Sequence, residues 1–265
     1  MKKKLIFFDV DGTLLSTKDG RPFCIPPSAL QALEKLRQNG HRIAICSGRP
    51  EVFIHRYFPG LFQTYVALNG AHVVFDGNTV LTREFSTERV ETLMRHFDSY
   101  GCRYTFVGKD HAWGRNITER YPKWLNEAYG IPDYLVMDWK PENVHASMMD
   151  FLFRDEEEYH RCRPAFDDTM VLNYHPGNRA ADLSFRGEDK AGGIRALLEY
   201  SGIDRSDTIA FGDGYNDISM METVGFGVAM GNAVEEVKQR AGYVTSSVFE
   251  DGIYHALEHL GLIAE

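Results

Sequence analysis

The segment that most constrains this chain runs Lys4-Leu-Ile-Phe-Phe-Asp-Val-Asp-Gly-Thr-Leu-Leu15. An apolar run rich in aromatic and branched residues reads as a buried strand, and it stops abruptly at two carboxylates, Asp9 and Asp11, followed by Gly12 and Thr13. Residues two apart on extended backbone face the same way, so Asp9 and Asp11 are expected to emerge together at the carboxyl end of the strand. Open α/β sheets bind their ligands at that edge. Two carboxylates held so close repel each other unless a cation or a shared proton intervenes. An isolated Asp-x-Asp-Gly also fits a plain strand end with solvated turn residues, so the rest of the chain has to decide.

At 265 residues the chain has material for one large or two modest domains with a full core. Its formal net charge of -9, with no basic block longer than Lys2-Lys3-Lys4, argues against a nucleic-acid footprint. The basic start resembles a signal peptide only superficially, because Asp9 and Asp11 break the apolar run and no small-residue cleavage site follows. No other stretch approaches a membrane span, so a cytoplasmic protein without membrane contact is expected. The four cysteines, Cys24, Cys46, Cys102 and Cys162, lack paired spacing and fit reduced thiols better than disulfides or zinc ligands. In a reducing compartment Asn116-Ile-Thr118 is an idle glycosylation match.

Taken in order, Gly12 to Pro27 is a polar loop too long for a simple connector, and a flap over the strand end is expected there. Ser28-Ala-Leu-Gln31 reads as a capping box opening a helix with Leu30, Leu33 and Leu36 on one face, stopped by Gly40. His41 to Cys46 is a second buried strand, and Ser47 follows it as Asp9 follows the first. A strand, helix, strand order gives a right-handed parallel crossover, so Ser47 and Asp9 share one edge. Pro50 favours a new helix start. Ser47 with the amides of Gly48 and Arg49 then makes an anion site, although Ser47 serves equally well as a plain cap. Tyr65 to Leu81 suggests another strand and a hairpin.

After about residue 84 the texture changes. A helix over Ser86–Tyr100 precedes strand candidates near Arg103–Val107, Tyr134–Met137, His145–Phe153 and Met170–Tyr174, with helix candidates at Thr118–Tyr129 and Asp155–Cys162. The acidic run Asp155-Glu-Glu-Glu158 suits a first helical turn and a solvated face. Such a block between two halves of a parallel-sheet pattern reads as a smaller inserted domain, placed at 84–182. The parallel pattern then resumes. Asp189 caps a helix with Lys190 in its first turn, where a cation is unfavourable unless it faces an anion. Asp207 to Gly212 is a third buried strand, and it delivers Asp213, Asn216 and Asp217 to the same edge. Oxygen-only ligands of this kind suit a hard cation such as Mg2+.

Asp9-Val-Asp-Gly-Thr13, Ser47, Lys190 and Gly212-Asp-Gly-Tyr-Asn-Asp217, in this order and each after a strand or opening a helix, together resemble the haloacid dehalogenase (HAD) superfamily. The insert after Asn69-Gly70 resembles the class C2 (type IIB) cap of its Cof-like phosphatases. One departure is Gly187-Glu-Asp-Lys-Ala191, where family members often carry Gly-Val-Ser-Lys-Gly. The resemblance implies an α/β protein, a Rossmann-like parallel-sheet core (1–83 and 183–265) with an inserted smaller α/β cap (84–182). It implies a Mg2+-dependent phosphomonoester hydrolase acting on a small phosphorylated metabolite, with sugar phosphates expected, as a monomer or weak homo-oligomer. On that resemblance Asp9 is the nucleophile and Asp11 the acid and base. The metal is bound by Asp9, the Asp11 carbonyl and Asp213, with Asp217 holding the shell. Ser47, Gly48, Lys190 and Asn216 cradle the phosphate. Arg49, Trp113, Arg115 and Arg179 are nominated to read the leaving group. A phosphosugar mutase on the same core, or a regulator that binds phosphosugars without turnover, are the alternatives.

Two further motifs are weighed and set aside. Gly225-Phe-Gly-Val-Ala-Met-Gly231 is one residue too long for a dinucleotide loop. His255-Ala-Leu-Glu-His259 matches a zinc-protease pattern but sits on an amphipathic helix without a third ligand.

Overall fold

The computed structural model describes residues 2–18, 21–118, 126, 129–162, 169–175 and 179–263. Leu5–Phe8 is a strand buried along its whole length, as a parallel strand covered on both faces must be. It lies inside an eight-stranded sheet ordered Tyr243–Val244, Phe226–Ala229, Thr208–Gly212, Leu5–Phe8, Arg42–Cys46, Tyr65–Ala67, His72–Phe75 and Asn78–Thr82. The first six are mutually parallel, and His72–Phe75 turns back antiparallel on Tyr65–Ala67. From Leu5–Phe8 the next strand of this sheet in sequence is added on one side, whereas Thr208–Gly212 and its successors build outward on the other. The strand order therefore reverses between Leu5–Phe8 and Thr208–Gly212, and in a doubly wound sheet that reversal opens a crevice at the carboxyl ends.

Alternation of side chains distributes the core. Leu5, Phe7, Ala44, Cys46 and Ala210 pack with Ile194, Leu197, Met220 and Met221 of the helices Lys190–Ser201 and Ile218–Thr223. The helices Pro27–Gln38 and Gly252–His259 pack on each other, and the first also lies against Arg42–Cys46. The Pro27–Gln38 helix starts two residues earlier than the capping box suggests. Pro26 occupies the cap position without a side-chain bond and Pro27 the first turn, where its missing N–H costs nothing. Ala29, Ala32, Leu33 and Leu36 form its buried face, and Leu30 is 44% exposed. The loop after Asp11 is built as an antiparallel pair, Ser16–Lys18 with Arg21–Cys24.

By its contacts the chain divides into two units, one of Met1–Arg49, Gly60–Leu81 and Asp189–Glu265, the other of Pro50–Pro59 and Thr82–Glu188. The segment Pro50–Pro59, which the sequence reading puts in the first domain, thus groups with the second. Its helix Glu51–Tyr57 explains this: Val52 N donates to Lys109 O at 3.0 Å, and Phe53 meets Tyr129 edge-on at 5.2 Å.

The second unit has a six-stranded sheet ordered Leu135–Val136, Ala112–Arg115, Arg103–Val107, Met148–Leu152, Ala180–Phe185 and Met170–His175. The helix Thr87–Ser99, capped by the Ser86 hydroxyl, contributes Val90, Leu93 and Phe97 to the core beneath it. The proposed helix over Thr118–Tyr129 lies almost wholly outside the described residues. Two expectations are corrected here. Glu158 of the helix Glu156–Cys162 is buried, not solvated. Burial works to raise its pKa, yet hydrogen bonds from the Arg154 amide and guanidinium outweigh that and hold it below the usual range. Cys102 and Cys162, both buried in this core, are joined as a disulfide, so that pair does not support the reading of four reduced thiols. Among the described residues no helix is long and apolar enough to cross a membrane.

Candidate active site

The sheet carries Asp9 and Asp213 to one place. Phe8 is in register with Phe211, and the Asp9 amide extends that ladder to Phe211 O at 2.9 Å. Asp213 leaves the neighbouring strand one residue after its end. Its carboxylate is held from three sides. Thr13 Oγ1 donates to Oδ1 at 3.1 Å, Asn232 Nδ2 donates to Oδ2 at 3.2 Å, and Gly12 passes so close that a Cβ there would overlap the carboxylate. Gly12 also has φ +85, so only glycine fits without strain.

Asp217 ends a 3-10 turn, Tyr215–Asp217. Its Oδ2 accepts the amides of Asp213 and Gly214 at 2.8 and 2.9 Å, while Oδ1 accepts Lys190 Nζ at 2.5 Å. Lys190 reaches this point because Asp189 caps its helix, accepting the Gly192 amide at 2.7 Å, and points the first turn inward. The same Nζ lies 2.5 Å from Asp9 Oδ1, and the lysine side chain is 0% exposed.

Three carboxylates, those of Asp9, Asp213 and Asp217, each place an oxygen within 4.8 Å of the others. Against them stands one lysine. Burial first, then the charge of Asp217, pushes the Asp9 carboxyl well above its usual range, and Lys190 only partly offsets this. The same two causes push Asp213 up to about 7, against the pull of the Thr13 hydrogen bond. The pKa of Lys190 is raised as well: burial disfavours its charge, but Asp217 and Asp9 outweigh burial and keep it protonated. Ionised, the cluster carries two negative charges more than Lys190 cancels, and its donors are all oxygen. A divalent hard cation fits that imbalance in charge and in ligand chemistry. Burial raises the pKa of nearby Cys46, so its thiol stays protonated and inert.

Ser47 is buried at the end of the strand that pairs with Leu5–Phe8, and its amide donates to Val66 O at 2.8 Å. The Arg49 amide donates to the Ser47 hydroxyl at 3.2 Å, so it does not stand free for an anion as the sequence suggests. Gly48 lies against the Asn69 amide, and Asn216 Nδ2 donates to Asn69 Oδ1 at 3.4 Å. Asp11 stands apart from the three carboxylates. Both its oxygens accept from Arg49, Nε to Oδ2 and Nη2 to Oδ1, each at 2.7 Å.

Three of the nominated leaving-group readers are engaged within the second unit. Trp113 is buried in the core of the second unit, Arg115 forks onto Asp98 at 2.9 and 3.1 Å, and Arg179 donates to Arg154 O. The set-aside histidines have other partners: His255 contacts the Ser246 hydroxyl and His259 stacks on Tyr243. The Gly225–Gly231 stretch contains the strand Phe226–Ala229 and opens no helix. Conversely, Asn69 and Asn232 were given no role in advance. Each follows the carboxyl end of a parallel strand, Tyr65–Ala67 or Phe226–Ala229, and that position was the available signal.

Comparison with known proteins decides the family. The model of the haloacid dehalogenase-like hydrolases matches residues 6–257. The chain belongs to the haloacid dehalogenase-like hydrolases. It is 32% identical to YkrA of Bacillus subtilis, which carries a phosphatase name, over 99% of this chain and all of that one. It is 29% identical to the 5-amino-6-(5-phospho-D-ribitylamino)uracil phosphatase YbjI of Escherichia coli, over 97% and 96% of the two chains. The HAD subclass IIB sugar phosphatase BT4131 superposes with a TM-score of 0.80 at 30% identity, covering 98% of this chain and 100% of that one. The chain is thus an enzyme of the HAD phosphatase kind, with an α/β parallel-sheet core.

Proposed function

We propose that this HAD phosphatase hydrolyses small phosphorylated metabolites, with sugar phosphates the first class to test, and that it requires Mg2+. The observation that carries the reading is the set of buried Asp9, Asp217 and Lys190 with half-buried Asp213 at the carboxyl ends of two adjacent parallel strands. The names of YbjI and BT4131, a phosphoribitylamino-uracil phosphatase and a sugar phosphatase, support small phosphorylated substrates.

In this reading Asp9 attacks phosphorus, the ester oxygen departs, and water then hydrolyses the aspartyl-phosphate. Asp11 protonates the departing oxygen and later takes a proton from the water. Lys190 fixes the Asp9 carboxylate and, with Ser47, Gly48 and Asn216, receives the phosphoryl oxygens. Asp9, Asp213 and the Asp11 carbonyl would hold the cation, with Asp217 fixing Asp213 and Lys190 around them. When bound, Mg2+ supplies positive charge against the transferring phosphoryl group. Residues 84–182 serve as the part that selects among leaving groups.

The test is phosphate release across a panel of sugar phosphates, nucleotides and phosphorylated cofactors, with Mg2+ and with a chelator. Turnover is expected with Mg2+ and background rates after chelation. Because the Asp213 carboxyl, pushed to about 7, must lose its proton to act as a ligand, divalent affinity is expected to weaken as pH falls through 7. Titration calorimetry at pH 6 and pH 8 reads this directly. Full activity in chelator would rule out the Mg2+ requirement, and equal affinity at both pH values would rule out Asp213 as a ligand.

A separate expectation concerns Asp11. General acid catalysis contributes about 10²- to 10⁴-fold, and mostly where the leaving group is poor. Asp11→Asn should therefore lose that factor on a sugar phosphate and far less on p-nitrophenyl phosphate. Equal losses on both esters would remove Asp11 from the proton-transfer role.

A further inference from the structure

The Asp11 carboxylate is occupied. Arg49 takes both its oxygens in a two-point fork with each bond at 2.7 Å, the geometry in which guanidinium and carboxylate match best. The pair sits at the surface edge of the site, the Arg49 side chain 21% exposed and Asp11 47% exposed. Arg49 is anchored from behind. Its amide donates to the Ser47 hydroxyl and its carbonyl accepts the Leu68 amide at 3.3 Å. Its guanidinium lies over the Phe23 ring at 5.2 Å, on the Arg21–Cys24 strand of the flap, where Phe23 has a left-handed φ of +57. A large side chain in that region is strained, and strain of this kind persists only where the surroundings hold it.

A carboxyl group that donates a proton to a departing oxygen needs one oxygen directed at that atom. The fork leaves each oxygen a second lone pair but fixes the plane of the carboxylate, so turning an oxygen toward the ester opens at least one of the two bonds. The groups able to compete for the guanidinium are other oxyanions or hydroxyls. A phosphate ester brings both.

We infer that Arg49 is the positioning residue for Asp11: its fork orients the carboxylate, and a substrate oxygen that takes over part of the fork turns Asp11 toward the leaving group. The exchange swaps one N–H···O bond for another and breaks no covalent bond. The freed Asp11 oxygen takes up a proton from solvent, and that O–H bond then breaks as the leaving oxygen gains its own. The inference rests on the reading of Asp11 as acid and base, and its test is arranged to separate the two.

The experiment measures kcat and kcat/KM with Mg2+ for the full chain and for Arg49→Gln, Arg49→Lys, Asp11→Asn and the double variant Arg49→Gln/Asp11→Asn. The substrates are one sugar phosphate that the enzyme turns over and p-nitrophenyl phosphate. Arg49→Gln should cost about 10- to 100-fold on the sugar phosphate and within about threefold on p-nitrophenyl phosphate, because only the first ester needs the proton. Arg49→Lys should fall between, keeping the charge and losing the fork. In the Asp11→Asn background Arg49→Gln should cost less than about twofold, the signature of two residues acting through one interaction. Equal losses on both esters, losses that multiply fully in the double variant, or no loss at all would each overturn the role of Arg49. If Asp11→Asn alone failed to distinguish the esters, the acid–base reading would fall first. Should Arg49→Gln melt well below the parent, Arg49→Lys alone carries the comparison between esters.

Discussion

Asp9→Asn is expected to abolish turnover by several orders of magnitude while the protein stays folded. The carboxylate ends the central strand, and its Oδ1 accepts Lys190 Nζ at 2.5 Å, so the side chain sits where both the sheet and the lysine fix it. An amide of the same shape can still accept that hydrogen bond. It is a poor nucleophile and a weak ligand for a hard cation. The effect on stability is small by the same reasoning. Burial and Asp217 disfavour a charged Asp9, so removing the charge relieves a cost while giving up part of the ion pair with Lys190. Circular dichroism melts and phosphate-release rates measured on the same preparation check both halves. A folded Asp9→Asn enzyme with turnover near the parent would show that another group attacks phosphorus, and the assignment of the strand end would have to be abandoned.

Much of this site is legible in the sequence because its residues are delivered by rules that act locally. Asp9 and Asp213 each follow an unbroken buried strand, and a strand, helix, strand order sends such ends to one edge. Lys190 was legible for a different reason, as a cation placed in a helical turn that disfavours it; the buried Asp9 and Asp217 carboxylates resolve that conflict. What local rules miss is the partner contributed across long sequence separation. Nothing near Asp11 announces Arg49, and nothing near Asp213 announces Asn232, which joins Gly12 O, Asp213 and the Val248 amide. The second unit was harder. The strands Ala112–Arg115 and Ala180–Phe185 went unpredicted, the first interrupted by Gly114 and the second holding Asp182 and Ser184 on alternate positions of a short run. Trp113 and Arg115 read as exposed recognition residues only until the sheet buries one and Asp98 engages the other.

Lys190→Met is expected to damage fold and chemistry together, and in this it differs from Asp9→Asn. The lysine is the counter-charge of a buried cluster, its side chain 0% exposed between Asp9 and Asp217. Removing one partner of a buried ion pair leaves uncompensated charge and costs about 3–5 kcal/mol, against a total stability on the order of 5–15 kcal/mol for a domain. The carboxylates left behind reduce that cost by binding a proton, which takes Asp9 further from the ionised state its attack requires. The melting temperature should therefore drop by roughly 6–20 °C, taking about 2–4 °C for each kcal/mol, with turnover lost even at temperatures where the variant is folded. Lys190→Arg should not restore the parent, because the larger planar group has no room in a closed site that one ammonium fills. A divalent cation should stabilise Lys190→Met by more than it stabilises the parent, since in the variant it also supplies the counter-charge that the lysine no longer gives. Melts with and without Mg2+ read this difference. If Lys190→Met melted with the parent and kept its rate, the two contacts at 2.5 Å would be incidental, and the charge balance that underlies the whole site would be mistaken.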